Sequence, residues 1–384
     1  MKIVCAPQSF KGSISASGVA NAMADGIRKV DPDAEIILVP VADGGDGTLE
    51  TLVESTGGQV HISTVTGPNN QKVLCEWGAL GDNHTAVIEM ARSSGLALVD
   101  ESDRKPLTAT TYGLGEVIKE VLGLGFRNFI IGIGGSATND GGAGMAQALG
   151  VHLLDDAGNE IDRGGMELNQ LETINLSSLD SRVSESTFMV ACDVNNPLCG
   201  PEGASAVYGP QKGATPEMVK LLDNGLSNLA KVIKNDIGID MIDMSGSGAA
   251  GGLGGGLVAF VNGILRPGVD IVLEAVGLKE KMESADLVIT GEGQMDFQTV
   301  YNKAPIGVGK MAKSLGIPTL GISGSLGKGF GDVHDHGIEA ALNITNAPMN
   351  LSEANERASE LISSATEQAL RTMKIGARVF GENI

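Results

Sequence analysis

The chain has 384 residues, 42% of them hydrophobic and only 3% aromatic, with 55 glycines. That length exceeds what a single hydrophobic core usually serves, so two domains are expected. A formal net charge of −20 repels nucleic-acid phosphates and anionic lipid, which argues against both as partners; an anionic substrate would have to be met by a local concentration of amides and cations.

Cys5, Cys75, Cys192 and Cys199 form no CxxC pair, and His334 and His336 have no cysteine or histidine company. Neither a disulfide framework nor a zinc site is therefore expected. The stretch before Pro7 is too short for a signal peptide, and the apolar runs stop well short of a membrane span. These features lead us to expect a cytoplasmic protein.

Residues 2–6 read as a short buried strand, followed past Gly12-Ser13 by a helical pattern with Ile14, Met23, Ile27 and Val30 near one face. Residues 35–39 form a second strand, and after the loop 42–48 a helix through Leu52 and Val53 ends at Gly57-Gly58. This β-α-β-α rhythm belongs to a parallel sheet with helices on its faces. It then breaks: residues 59–66, 72–80 and 85–90 look like strands joined by turns, an antiparallel excursion. A helical pattern returns at 112–122 and a buried strand at 128–133, and the stretch 151–282 holds weaker elements with loop-rich joins. The βαβ rhythm resumes with a strand at 287–290, a helix at 306–315, strands at 318–322 and near 339–344, and a long amphipathic helix through Leu361, Ala365, Ala369 and Met373. The expected fold is α/β: a doubly wound, Rossmann-like parallel-sheet domain (1–58, 105–150 and 283–384) interrupted by a second, smaller mixed α/β domain (59–104 and 151–282). The cleft between them is the expected ligand site.

Three glycine loops carry the chemical signal: 132–142, 245–252 and 290–296. Open amides after a strand and before a helix favour phosphate or carboxylate, although tight helix–strand packing demands the same glycines. The first two loops match GxGxxG/A, and Asp155-Asp156 follow the first at the distance of a ribose-binding acid, so an NAD-dependent dehydrogenase is a rival reading. No Walker A sequence is present. The nearest approach, residues 324–329, has the wrong spacing and reads as an exposed turn. Charged residues attached to the loops favour a kinase. Lys11 follows the first strand, and Asp43, Asp46, Asp193, Glu292 and Asp296 follow strand-like segments or sit in glycine turns. Phosphoryl transfer needs cations for phosphate, carboxylates for Mg²⁺ and one group to orient the acceptor hydroxyl. Each aspartate taken singly also fits a turn or helix-cap role.

Residues 6–13 (APQSFKGS), 40–48 (PVADGGDGT), 132–142 (GIGGSATNDGG), 192–198 (CDVNNPL), 209–214 (GPQKGA), 248–252 (GAAGG) and 290–293 (TGEG) together resemble the glycerate kinase family over essentially the whole chain. The resemblance implies two α/β domains, ATP and Mg²⁺, and glycerate phosphorylated at its 2-hydroxyl. It also shows departures: Gln8 stands where the family usually has aspartate, Gln294 where it has arginine, Asn302 where it has glycine and Asp46 where it has glutamate. Gln8 and Gln294 follow strands of one sheet, and a neutral amide pair there would replace a salt bridge or suit another acceptor, such as a longer aldonate.

The resulting expectations are these. The amides of Gly134, Gly135, Ser136, Thr138 and Asn139, with Gly248 and Gly251, cradle anionic groups. Lys11 and Lys212 supply cationic help. Asp193 orients or deprotonates the acceptor hydroxyl, with Asp296 as the alternative. Glu292, Asp43 and Asp46 form the metal shell, and Gln8 and Gln294 read the substrate. The partner is a small-molecule hydroxy acid; a homodimer is left open, and a non-catalytic metabolite-binding member of the family is a further rival.

Overall fold

A computed structural model describes residues 1–45, 47–301 and 303–381. The strands are, in chain order, β1 (Lys2–Cys5), β2 (Glu35–Leu38), β3 (Gln59–Thr66), β4 (Lys72–Ala79), β5 (Thr85–Glu89), β6 (Asn128–Gly132), β7 (His152–Leu154) and β8 (Thr173–Asn175). They continue with β9 (Thr187–Ala191), β10 (Ile264–Arg266), β11 (Leu287–Thr290), β12 (Gln294–Met295), β13 (Thr319–Ser323), β14 (Ser325–Leu326) and β15 (Ala340–Asn343). The chain divides into two compact units, one of Met1–Thr56 with Val269–Ile384 and one of Gly57–Gly268. None of the described helices is long and apolar enough to cross a membrane.

The first unit is built on the sheet β15-β13-β11-β1-β2, with every pairing parallel. Ile3, Val4 and Cys5 are fully buried, as a strand with cover on both faces requires. The helix Ala16–Arg28 starts at Ser15, whose side chain accepts from the Gly18 N–H, and buries Val19, Met23 and Ile27 along one stripe. These residues join Ile289, Ile322, Leu361 and Ile362 in one core. Counted along this sheet, the strand order is 2-1-3-4-5, the order of a common doubly wound fold. The chain leaves β1 toward one edge and β11 toward the other, so a crevice opens beyond the C-terminal ends of these two strands.

The second unit carries the sheet β10-β9-β6-β5-β4-β3. Its β3–β4 and β4–β5 pairs are antiparallel, and β5, β6, β9 and β10 run parallel. This corrects the expected boundaries. Segment 105–150 does not join the β1 sheet, because β6 pairs with β5 (Val87↔Ile130) and with β9 (Ile130↔Met189). The inserted unit is also the longer of the two, not the smaller.

Where the helix Ala16–Arg28 packs on the helix Ala358–Phe380, a Cβ at Gly26 would lie 2.4 Å from the Ser363 carbonyl oxygen and 2.8 Å from Thr366 Cβ. Backbone cannot yield as a flexible side chain can, so the clash should outweigh the better helix propensity of alanine. Gly26→Ala is expected to destabilise by about 1–3 kcal/mol and to lower the melting temperature by several degrees; an unchanged melting temperature would show that this contact does not set the helix spacing.

Candidate functional site

Beyond Cys5 the first strand keeps its parallel course. The Ala6 N–H donates to Ile289 C=O and the Gln8 N–H to Gly291 C=O, each at 2.8 Å. The Thr290 hydroxyl donates to Ala6 C=O, also at 2.8 Å. A Cβ at Gly291 would fall 2.0 Å from the Ile322 carbonyl oxygen, so only glycine lets the end of β11 run this close to β13. The outcome is that Gln8 and Glu292 emerge side by side at the crevice. They line a cavity of about 1180 Å³ together with Lys11, Asp43, Gln294 and Lys303.

Charge inside the cavity is organised around Asp43, whose side chain is 12% exposed. Lys303 Nζ donates to Asp43 Oδ2 at 2.7 Å and the Gly45 N–H to Oδ1 at 3.2 Å. Burial pushes this carboxyl up, but Lys303, the Gly45 N–H and the Gln8 side chain outweigh it and hold Asp43 below the usual carboxylate range. Glu292 behaves in the opposite way. Burial pushes it up to about 7, against the Thr299 hydroxyl and Lys303, with the negative Asp43 and Asp296 adding to the rise. Thr299 is a junction: buried, it donates to Glu292 Oε1 at 2.8 Å and accepts from the Asp296 N–H at 3.0 Å. Asp296 in turn accepts from the Gln298 N–H at 2.8 Å and from Gln294 Nε2 at 2.7 Å.

Gln8 and Gln294 therefore line one cavity with separate partners. Gln8 serves Asp43, and Gln294 bonds Asp296 and accepts from the Ser325 hydroxyl at 3.3 Å. The segment 324–329 corrects its expectation as an exposed turn: β14 pairs with β12, and Gly324 and Ser325 line the cavity. Asp46 and Asn302 lie outside the described residues. Among the described residues, no group of three or more His, Cys, Asp or Glu is placed to hold a metal ion. Mg²⁺ asks less, one or two carboxylates with the substrate's phosphates supplying the rest, and an ionised Asp43 lining the cavity fits that need.

The other predicted residues belong to the second unit, beyond the ends of β6 and β9. Gly134 is exposed, and a Cβ on it would meet nothing within 4 Å. Gly135 takes φ +72°, and its carbonyl accepts from the Leu96 N–H at 2.8 Å while the Ala137 N–H donates to Ser94 C=O. Lys212 is only 2% exposed. Its Nζ donates to Ser136 Oγ at 2.7 Å and to Thr138 C=O at 2.6 Å, so this cation braces the loop from behind. Burial pulls it down to about 7 despite the nearby Asp140. Asp140 is itself buried, held by the Thr111 N–H and hydroxyl. Asn139 Nδ2 donates to Ser205 Oγ at 2.8 Å. Packing accounts for the glycines at 248 and 251, where a Cβ would lie 2.1 Å from Pro197 O and 2.0 Å from Thr138 O respectively. Asp193 is exposed at the end of β9, and its Oδ1 accepts from the Gly268 N–H at 3.1 Å. Of the two acids in the dinucleotide reading, Asp155 closes its own turn, accepting from the Ala157 and Asn159 N–H groups.

Lys303, Thr299 and Ser325 escaped the sequence reading. A signal did exist for Lys303. It stands directly before the helix Ala304–Ser314, where the dipole disfavours a cation unless an anion compensates.

Comparisons with known proteins cover nearly the whole chain. The model of the Glycerate kinase family matches residues 3–374. The chain is 49% identical over 381 residues to Glycerate 2-kinase of Escherichia coli (strain K12), covering 99% of this chain and 100% of that one. It is 48% identical over 380 residues to Glycerate kinase of Bacillus subtilis (strain 168), covering 99% and 100%. A crystal structure described as glycerate kinase 2 from Salmonella typhimurium LT2 superposes with a TM-score of 0.91 at 47% identity, over 98% of this chain and 99% of that one.

The buried Lys212 gives a pH signature. Unfolded, it holds its proton up to its ordinary 10.5; folded, it releases it at about 7. Between those values the unfolded state binds the extra proton, so raising the pH through this window favours the fold. In urea titrations the unfolding free energy of the wild type, relative to Lys212→Met, should rise from pH 7 toward 10.5. A difference that does not change with pH would show that Lys212 stays charged in the fold.

Proposed function

The chain belongs to the glycerate kinase family, and from that premise we propose that this enzyme, a kinase acting on glycerate, works in the cavity beyond β1 and β11 and phosphorylates the 2-hydroxyl. ATP is the phosphoryl donor that such a kinase implies. The observation that carries the assignment is the convergence of Asp43, Glu292, Lys303 and Lys11 on one cavity at the reversal point of the sheet. Pockets of about 300–1,000 Å³ take drug-sized ligands, so 1180 Å³ has room for a nucleotide together with a three-carbon acid.

The residues divide the work by charge state. Asp43, kept ionised by Lys303, presents a hard oxygen donor to Mg²⁺, which when bound neutralises the phosphates of the nucleotide. Lys11 lines the same cavity as a cation for phosphate or for the substrate carboxylate. Glu292 sits near the middle of its titration at neutral pH, where a side chain is best matched to accept a proton. We assign it the acceptor hydroxyl: the hydroxyl oxygen bonds to the terminal phosphorus, the bond from that phosphorus to the ADP oxygen breaks, and the hydroxyl proton passes to Glu292. Thr299 fixes the carboxyl that receives it, and Asp296 fixes Thr299. In the second unit the exposed Gly134 and the loop that Lys212 braces offer a second place for an anionic group.

Phosphorus NMR of the product formed from ATP and glycerate should show 2-phosphoglycerate; the 3-phospho isomer would overturn the regiochemistry. Glu292→Gln should lower kcat by roughly a hundredfold or more with KM little changed, and Asp193→Asn should have the smaller effect. The reverse ranking would move the proton-accepting role to Asp193.

A further inference from the structure

The outer face of the β3–β4 hairpin departs from the usual rule for an antiparallel pair. One face is inside: Ser63, Val65, Cys75 and Trp77 are buried, and Trp77 Nε1 donates to Ser63 Oγ at 3.1 Å. The opposite face should then be polar. Instead it carries Val60, Ile62 and Leu74, which are 45%, 62% and 68% exposed. The register Ile62↔Glu76, Thr64↔Leu74 and Thr66↔Lys72 puts them on one continuous surface. Lone exposed aliphatics are ordinary, but three adjoining ones on a sheet face mark a contact surface. β3 ends its sheet, and Gln59–Thr66 contains neither a charged residue nor proline, the usual protections of an edge.

We propose that this face joins two copies of the chain across a twofold axis passing beside Leu74. The argument for a second copy is the charge order along β4. Lys72, Leu74 and Glu76 point the same way at alternate positions, cation, aliphatic, anion, with Lys72 and Glu76 side chains 64% and 45% exposed. Laid antiparallel on itself, this order sets Leu74 against Leu74, Lys72 of each copy against Glu76 of the other, and Ile62 and Val60 around them. Such self-complementarity is what an isologous interface requires. Elsewhere the net charge of −20 drives two copies apart, whereas here Lys72 and Glu76 present one charge of each sign. The charged groups nearby keep their own partners, Lys72 with Glu116 and Glu76 with Arg92; each new pair extends an existing network.

Sedimentation equilibrium over a micromolar concentration series tests the proposal. The wild type should sediment at twice the 39.4 kDa of the chain. Leu74→Glu, which sets two carboxylates together on the axis, should return it to a single chain with an unaltered circular dichroism spectrum. Lys72→Glu alone and Glu76→Lys alone should each weaken the dimer by about tenfold or more, and the double reversal Lys72→Glu/Glu76→Lys should recover most of that loss, as a paired contact demands. Should Leu74→Glu fail to fold, the charge-reversal cycle decides alone. A wild type that is one chain at every concentration overturns the proposal, and so does a dimer that these changes leave intact.

Discussion

Two backbone hydrogen bonds, from Ala6 N–H to Ile289 C=O and from Gln8 N–H to Gly291 C=O, hold the first unit's site in place. They join a strand from the start of the chain to one from far beyond the inserted unit. Without them the parallel register Ile3↔Leu287 to Cys5↔Ile289 would stop short of the crevice, and Gln8 and Glu292 would leave the sheet at unrelated positions. A parallel pair has no hairpin to set its register. Here it is set by burial, since Ile3, Cys5 and Ile289 share one core with the helices Ala16–Arg28 and Ala358–Phe380. Packing far from the cavity thus fixes the geometry within it.

The cavity then uses unlike environments to give two carboxylates different chemistry. Asp43 has a direct cationic partner and two further donors. Glu292 has greater burial, a neutral hydroxyl and two negative neighbours. The same side-chain class is thereby divided into a permanent anion and a group able to take up a proton near neutrality, a separation produced by surroundings alone. In a chain of net charge −20, Lys11 and Lys303 bring positive charge to this cavity.

Much of this was legible in the sequence where the signal was local. The apolar runs of β1 and β11, the glycine turn at 44–47 and the Gly291-Glu292-Gly293 step each announce a strand end, and the cavity residues cluster around them. What stayed hidden depends on long-range partners. Residues 128–132 are as apolar as any parallel strand, and nothing local says which sheet they enter, so their sequence alone assigns segment 105–150 to the same domain as β1. Lys212 carries the charge of a phosphate ligand, but its burial against Ser136 and Thr138 arises only when residues far apart in sequence meet. Gln8 and Gln294 share a cavity as their strand ends suggest. Which amide bonds Asp43 and which bonds Asp296 is decided by side-chain geometry that no spacing encodes.

The central claim is that acceptor and nucleotide meet in the cavity beyond β1 and β11. Hydrogen exchange by mass spectrometry, with glycerate and a non-hydrolysable ATP analogue added together, tests it most directly. The account predicts new protection of the amides at 8–15 and 291–294, retained in Lys212→Met. Protection confined to residues 57–268, with those two segments exchanging as they do in the unliganded enzyme, would contradict it.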